Sequence, residues 1–170
     1  DILVVEGANT ASGYRVLSGA NGALIRQSAT IYAGLDFDIM RDVNGDGIDD
    51  IALTSGGNVV TIQSVADGST WQTLTSVSAL GLVHDAGDVN GDGVRDLFMI
   101  DDNDAVVRSL DDGRVLAVLT DPSINFTALS AGRDVNGDGS PDLMLGAPSV
   151  RHVRIVTTMG RRKYGTSTLG

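Results

Sequence analysis

An all-β repeat architecture is what the sequence predicts, and three observations predict it. Two independent markers recur with a common spacing near 46 residues, no stretch carries a sustained 3.6-residue apolar period, and turn signals punctuate short apolar runs at regular intervals. The first marker is the nonapeptide Asp-Val-Asn-Gly-Asp-Gly-x-x-Asp. It starts at Asp42, Asp88 and Asp134, two intervals of 46 residues. The second is a turn dipeptide, Asn21-Gly22, Asp67-Gly68, Asp112-Gly113 and a degenerate Met159-Gly160, with glycines 46, 45 and 47 apart.

Each repeat reads as four short strands. A brief apolar run follows the nonapeptide: Ile51-Ala52-Leu53, Leu97-Phe98-Met99-Ile100 and Leu143-Met144-Leu145. An alternating stretch comes next, as in Val59–Val65 or Val106–Leu110. Then the Asn-Gly or Asp-Gly turn, where glycine supplies positive φ, reverses the chain. A further run such as Arg114–Leu119 follows, and one more strand, such as Leu82–Ala86, leads into the next nonapeptide. Four strands at this period make a β-propeller blade.

Aligning on the last Asp of each nonapeptide places Asp1-Ile2-Leu3-Val4 beside Asp50-Ile51-Ala52-Leu53. The chain thus opens at the end of a fourth such loop, and three strands are expected in its first blade. The blades are expected at about 1–28, 34–76, 80–120 and 127–170, all within one repeat domain. With about four blades the propeller is expected to be incomplete or completed between molecules. Other polypeptide, the rest of the propeller or a neighbouring protomer, is expected to pair with the chain ends.

The 170 residues carry a formal net charge of −10, from 22 acids and 12 bases. No basic surplus exists to neutralise phosphates, so nucleic acid is excluded as a general partner. Nine of the acids belong to the nonapeptides: Asp42, Asp46, Asp50, Asp88, Asp92, Asp96, Asp134, Asp138 and Asp142. Cysteine is absent, which removes disulfides, thiolate nucleophiles and Cys-based zinc sites. No apolar run approaches the roughly 18 residues of a membrane span. The chain starts at Asp rather than Met and reads as a mature or excised piece of a longer precursor.

The nonapeptide has the donor set of a calcium loop. Ca²⁺ takes about six to eight oxygens. Positions 1, 3 and 5 offer carboxylate, amide and carboxylate: Asp42, Asn44 and Asp46, then Asp88, Asn90 and Asp92, then Asp134, Asn136 and Asp138. Position 7 offers a backbone carbonyl, from Ile48, Val94 or Ser140. Position 9 closes the loop with Asp50, Asp96 or Asp142, and Asp1 leaves a partial fourth site. Glycine at position 6 permits the sharp turn. Helix-flanked calcium loops need an acid at position 12, where Leu53, Met99 and Leu145 stand instead. Asp, Asn and Gly are also ordinary turn formers, but three copies of one nine-residue pattern point to metal.

These stretches resemble FG-GAP repeats, the calcium-bearing blades of the integrin α-subunit propeller and of many bacterial extracellular proteins. The resemblance covers essentially the whole chain. Gly146-Ala147-Pro148 looks like the family's "GAP"; Thr54-Ser55-Gly56 and Ile100-Asp101-Asp102 depart from it, and Phe37-Asp38 is the nearest remnant of "FG". Propellers of the family usually have seven blades. The resemblance implies an extracellular or cell-surface module for protein or glycan recognition or adhesion. The calcium is read as structural, and no catalysis is expected of the chain alone, because no nucleophile–base pair or open catalytic metal site is legible. The alternatives are a subunit of a self-assembling surface fibre and the propeller part of a secreted polysaccharide lyase or hydrolase.

Other residues read more plainly. His84 and His152 sit near strands without a nucleophile partner in sequence, although His84-Asp85 has the composition of a catalytic pair. Trp71 reads as a half-buried strand aromatic rather than a sugar platform. Arg151, Arg154, Arg161, Arg162 and Lys163 form a basic C-terminal end, a solvated face or a surface for an acidic partner. Asp101-Asp102-Asn103-Asp104 reads as a polar strand connection.

Overall fold

The computed structural model describes residues 1–6, 13–28, 36–54, 57–76, 80–121, 125–157 and 165–168. Four antiparallel sheets follow one another along the chain, each with its strands in sequence order. The first holds β1 (Ile2–Glu6), β2 (Gly13–Leu17) and β3 (Leu24–Ser28). The second holds β4 (Phe37–Met40), β5 (Asp50–Thr54), β6 (Val59–Ser64) and β7 (Thr70–Thr75). The third holds β8 (Leu80–Gly87), β9 (Asp96–Asp101), β10 (Asp104–Ser109) and β11 (Val115–Leu119). The fourth holds β12 (Ala128–Arg133), β13 (Asp142–Ala147), β14 (His152–Thr157) and β15 (Gly165–Thr168). Among the described residues there is no α-helix, only a 3₁₀ turn at Pro148–Val150, and no sheet is closed on itself. The expected all-β blade series, three strands and then four, four and four, is what the chain forms.

The same local devices recur in three blades. Ser18, Ser64 and Ser109 each open a turn whose backbone N–H bonds the carbonyl of Ala23, Ser69 or Arg114. Gly22, Gly68 and Gly113 close it with φ of 72°, 78° and 74°, and each donates back to the opening serine's carbonyl. The side chains of Asn21, Asp67 and Asp112 accept from the amide two residues on. This Asx geometry explains the recurrent Asn/Asp-Gly. A register shift beside each turn, between Val16 and Leu17, Ile62 and Gln63, and Val107 and Arg108, marks a repeated bulge. Met159-Gly160, Ser55 and Gly56 lie outside the described residues.

Packing between sheets follows from the tripeptide after each nonapeptide. Strand side chains alternate between faces. Ile51 and Leu53 pack toward the first blade with Tyr14, Val16 and Val65. Leu97 and Met99 pack toward the second, with Met40, Ala52, Val60 and Ile62. Leu143 and Leu145 pack toward the third, with Phe98, Ile100 and Val107. The middle residue faces the following blade: Ala52 and Phe98 are wholly buried, whereas Met144 is 40% exposed. Each inner sheet is therefore apolar on both faces, which is why these segments read as unbroken apolar runs.

Polar links add to this. Arg26 on β3 donates to the carbonyls of Val65 and Ala66 in the next blade. Arg108 on β10 donates to the carbonyl of Thr75, 2.8 Å away. Asp36 accepts the Val83 amide at 2.7 Å, and Asp38 accepts the Asp85 amide at 2.9 Å. The carboxylates just before and within β4 thus serve the amides of β8, which among the described residues has no strand partner on that side.

His84 joins the same carboxylate, with Nδ1 3.0 Å from Asp38 Oδ2. That hydrogen bond raises the imidazole above its ordinary value against the opposing effect of burial, helped by the charges of Asp38, Asp36 and Asp85. Burial would raise the Asp38 carboxyl, but the His84 hydrogen bond, the amides of Asp85 and Ile39 and the His84 charge hold it below the usual range. The two shifts define a window. The His84 contribution is complete below about pH 6.5 and fades as pH rises through the raised value. The Asp38 contribution is complete above about pH 3.9 and fades as pH falls through the lowered one. Wild-type protein should therefore lose about 1 kcal/mol or less between pH 5.5 and pH 9 from this pair, screened as it is by solvent. His84→Gln should remove that part of the loss. Denaturant titrations at both pH values check it, and an unchanged difference in the variant would show that the pair contributes nothing.

Candidate metal loops

Each nonapeptide bridges the first and second strands of its blade. A residue one or two places before the loop pairs with position 9: Met40 with Asp50, Gly87 with Asp96, and Arg133 with Asp142. Between those pairs the three loops adopt one hydrogen-bond pattern. Position 1, Asp42, Asp88 or Asp134, accepts the position 4 amide at 2.6 Å in all three loops. Its second oxygen accepts the position 6 amide at 2.8, 2.9 and 2.8 Å. Asn44, Asn90 and Asn136 accept the position 5 amide at 2.9, 2.8 and 2.8 Å. Asp46, Asp92 and Asp138 accept the position 7 amide, from Ile48, Val94 and Ser140, at 2.9, 2.8 and 2.9 Å. Gly45 and Gly47, with φ of 81° and 86°, let successive amides point inward, and the equivalent glycines repeat this.

Position 9 differs from the rest because it is buried. Asp50, Asp96 and Asp142 are 0%, 0% and 3% exposed. One oxygen of each accepts the position 2 amide, from Val43, Val89 or Val135, at 2.9, 2.7 and 2.8 Å. The other oxygen of Asp96 and of Asp142 is buried with no hydrogen-bond partner among the described residues. In the first loop that oxygen meets Asn44 Nδ2 at 3.4 Å, a long contact.

The electrostatics follow from burial. Desolvation, with repulsion from Asp92 and Asp88, pushes the Asp96 carboxyl up to about 6 against the amides of Val89 and Asn90. Asp50 is raised for the same reason, with Asp46 and Asp42 repelling it. Exposed Asp134 goes the other way. The Gly139 amide holds it low, and those of Gly137, Asp138 and Asn136 add to this. The second and third loops thus pair a well-satisfied outer carboxylate with an inner one that has an unpartnered oxygen, and in the first loop that oxygen has only the long contact to Asn44.

The loops bring positions 1, 3, 5 and 9 of each nonapeptide into one turn. In this conformation the carboxylates are turned onto their own amides, and among the described residues no three acidic or imidazole side chains converge as a ready-made cluster. An all-oxygen donor set with a buried, partnerless carboxylate oxygen nevertheless fits a hard divalent cation.

Some neighbours were not legible beforehand. Arg95, at loop position 8, pairs with Asp85 at 2.6 Å, and Asp85 also receives the amides of Gly87 and Arg41. The only sequence signal was a basic residue where the other loops carry Asp49 and Pro141. Asp1 Oδ1 accepts the Gly19 amide at 3.0 Å. Trp71, on outer strand β7, is 37% exposed. His152 lies on β14, half-buried. Asp102 and Asn103 form the tip of the β9–β10 turn, where Asp102 has φ of 59°. Arg151 and Arg154 are described, whereas Arg161, Arg162 and Lys163 lie outside the described residues.

Two repeat models match the chain: an FG-GAP-like repeat over residues 42–99 and an FG-GAP repeat over residues 125–158. No curated protein matches. Among solved structures, BBS1N in complex with ARL6DN, from a mercury-soaked crystal, is similar at a TM-score of 0.62 and 17% identity. The match covers 93% of this chain and 47% of that one. A protein of unknown function from Bacteroides caccae is similar at a TM-score of 0.54 and 10% identity, over 92% of this chain and 57% of that one. The chain spans about half the length of these structures, and at such identities the likeness is one of fold. Among the described residues no helix is long and apolar enough to cross a membrane, which says nothing of a β-barrel.

Proposed function

The chain carries FG-GAP repeats folded as β-propeller-like blades, and from that premise we propose that it is a calcium-stabilised recognition module acting outside the cell or at its surface. FG-GAP repeats are typical of extracellular proteins and are generally non-enzymatic. The observation that carries the calcium reading is the buried, partnerless oxygen of Asp96 and of Asp142. A buried carboxylate oxygen without a partner is costly, and a bound cation offsets that cost.

Asp88, Asn90, Asp92, the Val94 carbonyl and Asp96 would hold one ion. Asp42, Asn44, Asp46, the Ile48 carbonyl and Asp50 would hold a second, and Asp134, Asn136, Asp138, the Ser140 carbonyl and Asp142 a third. Calcium supplies charge neutralisation there, and the chain's own residues supply the turn. Three ions would bring six positive charges to a chain of formal charge −10. Pinning the turn between the first and second strands of each blade leaves the loops on the other edges free to meet a protein or glycan. BBS1N, a fold neighbour, was crystallised in complex with another protein, which supports a partner-binding role.

Calorimetric titration tests this reading. Wild-type protein is expected to take up three calcium ions, and Asp92→Ala two, because the loops lie on separate blades and share no ligand. Asp92 is exposed, so its removal leaves the core untouched. A wild-type count of zero would refute the calcium reading. A count of zero in the variant alone would show that the sites act as one cooperative unit.

A further inference from the structure

A cavity of about 320 Å³ opens between the second and third nonapeptides, lined by Arg41, Arg95, Ser140, Pro141, Asp88 and Asp134. Three blades contribute to it: Arg41 follows β4, Arg95 precedes β9, and Ser140-Pro141 precedes β13. Gly87 and Pro141 also line it and approach each other closely. Gly87 has φ of 77°, and a Cβ there would lie 3.0 Å from Pro141 Cγ.

The donors in this cleft are unequal in their freedom. Arg95 is fixed by Asp85, with Nε 2.8 and 2.7 Å from the two carboxylate oxygens and Nη2 2.6 Å from one. Asp85 is itself held by the Gly87 amide at 2.9 Å and the Arg41 amide at 3.4 Å. Arg95 is thereby preorganised, with Nη1 left over among the described residues. The Arg41 guanidinium is exposed and makes no hydrogen bond or ion pair among the described residues, and neither does the Ser140 hydroxyl. The acids beside them are committed. Asp88 spends its oxygens on the amides of Gly91, Asp92 and Gly93, and Asp134 on those of Gly137, Asp138 and Gly139. What remains unsatisfied in the cavity is a set of donors, which calls for an acceptor ligand.

We propose that this cleft binds the carboxylate of an acidic sugar unit, a uronate, between Arg41 and Arg95, with Ser140 as a further donor. The assignment rests on the reading of the flanking loops as calcium sites. Asp88 and Asp134 line the cleft; counted together, the six carboxylates of the two flanking loops and Asp85 outweigh the two guanidinium groups by five negative charges, and one calcium ion in each loop reduces that to one. A singly charged carboxylate suits such a neighbourhood better than a doubly charged phosphate or sulfate. Guanidinium groups match its planar geometry. The volume lies at the lower end of ordinary small-molecule sites and accommodates one sugar ring. Calcium and carboxylate binding are then coupled, each strengthening the other.

The test is a titration of the full chain with D-galacturonate, followed by NMR or calorimetry, in calcium and in chelator. Millimolar binding is expected in calcium, at least tenfold weaker in chelator. Arg41→Ala should weaken it at least tenfold, and Arg41→Lys should retain part of it, while both variants still take up three calcium ions. Neutral D-galactose and N-acetylglutamate should bind at least tenfold more weakly than galacturonate. Equal binding of galactose would remove the role of the carboxylate, and equal binding of N-acetylglutamate would point to an acidic protein partner; either overturns the inference. A chain that takes up calcium but not galacturonate overturns this inference alone. A chain that takes up no calcium overturns the loop reading and this one with it.

Discussion

Adding a calcium chelator should lower the melting temperature by about 8–16 °C relative to buffer with millimolar calcium. At about 1 mM calcium and a Kd near ~0.1 mM, one site stabilises the folded chain by roughly 1.4 kcal/mol through mass action. Three sites give about 4 kcal/mol, a large part of the usual margin of a domain. For a chain of this length each kcal/mol moves the midpoint by about 2–4 °C. The fold itself should survive chelation at room temperature. Asp42, Asp88 and Asp134 already hold their turns through loop amides. Far-ultraviolet circular dichroism should therefore be unchanged at 20 °C while the melt shifts. Superimposed melts with and without chelator would sink the calcium reading.

Phe98→Ala should destabilise the chain by about 3–5 kcal/mol, the range for deleting a buried aromatic ring. Phe98 is fully buried between the third and fourth blades, against Leu143, Leu145 and Ala147. Met144→Ala removes the side chain at the same repeat position one blade later, where it is 40% exposed. That change should cost less than about 1 kcal/mol, since little apolar surface leaves or enters water. Urea titrations of both variants measure the contrast. Equal costs would mean that the middle residue of the tripeptide does not alternate to the following blade as described.

The repeat, its strands and the nonapeptides were legible because all three are local. An Asp-Gly turn or an Asp-x-Asn loop states its conformation through side chains that bond amides two to five residues away. The orientation of the tripeptides was not legible. A strand covered on both faces has apolar residues throughout, so Ile51-Ala52-Leu53 carries no sign of which neighbour each meets. The burial contrast between Asp46 and Asp50, two carboxylates four residues apart, was equally hidden, because it depends on the strand pair Met40–Asp50. The pairs Asp38–His84 and Asp85–Arg95 show two further limits. The first joins residues 46 apart, on different blades. The second joins residues only ten apart, on one blade, but no turn motif announces it.

Ala52, Phe98 and Met144 occupy one position of the repeat with three different volumes, and the first two are matched by what the next blade brings. Ala52 leaves room for Leu97 and Met99, and Phe98 fills the space over Leu143 and Leu145. Blades that repeat one pattern are thereby addressed to particular neighbours. A recombinant that exchanged the second and third blades would keep every turn and loop. It would also set a phenylalanine where an alanine fits and an alanine where a phenylalanine is needed. The order of the blades is thereby written into the volumes of the side chains that meet between them.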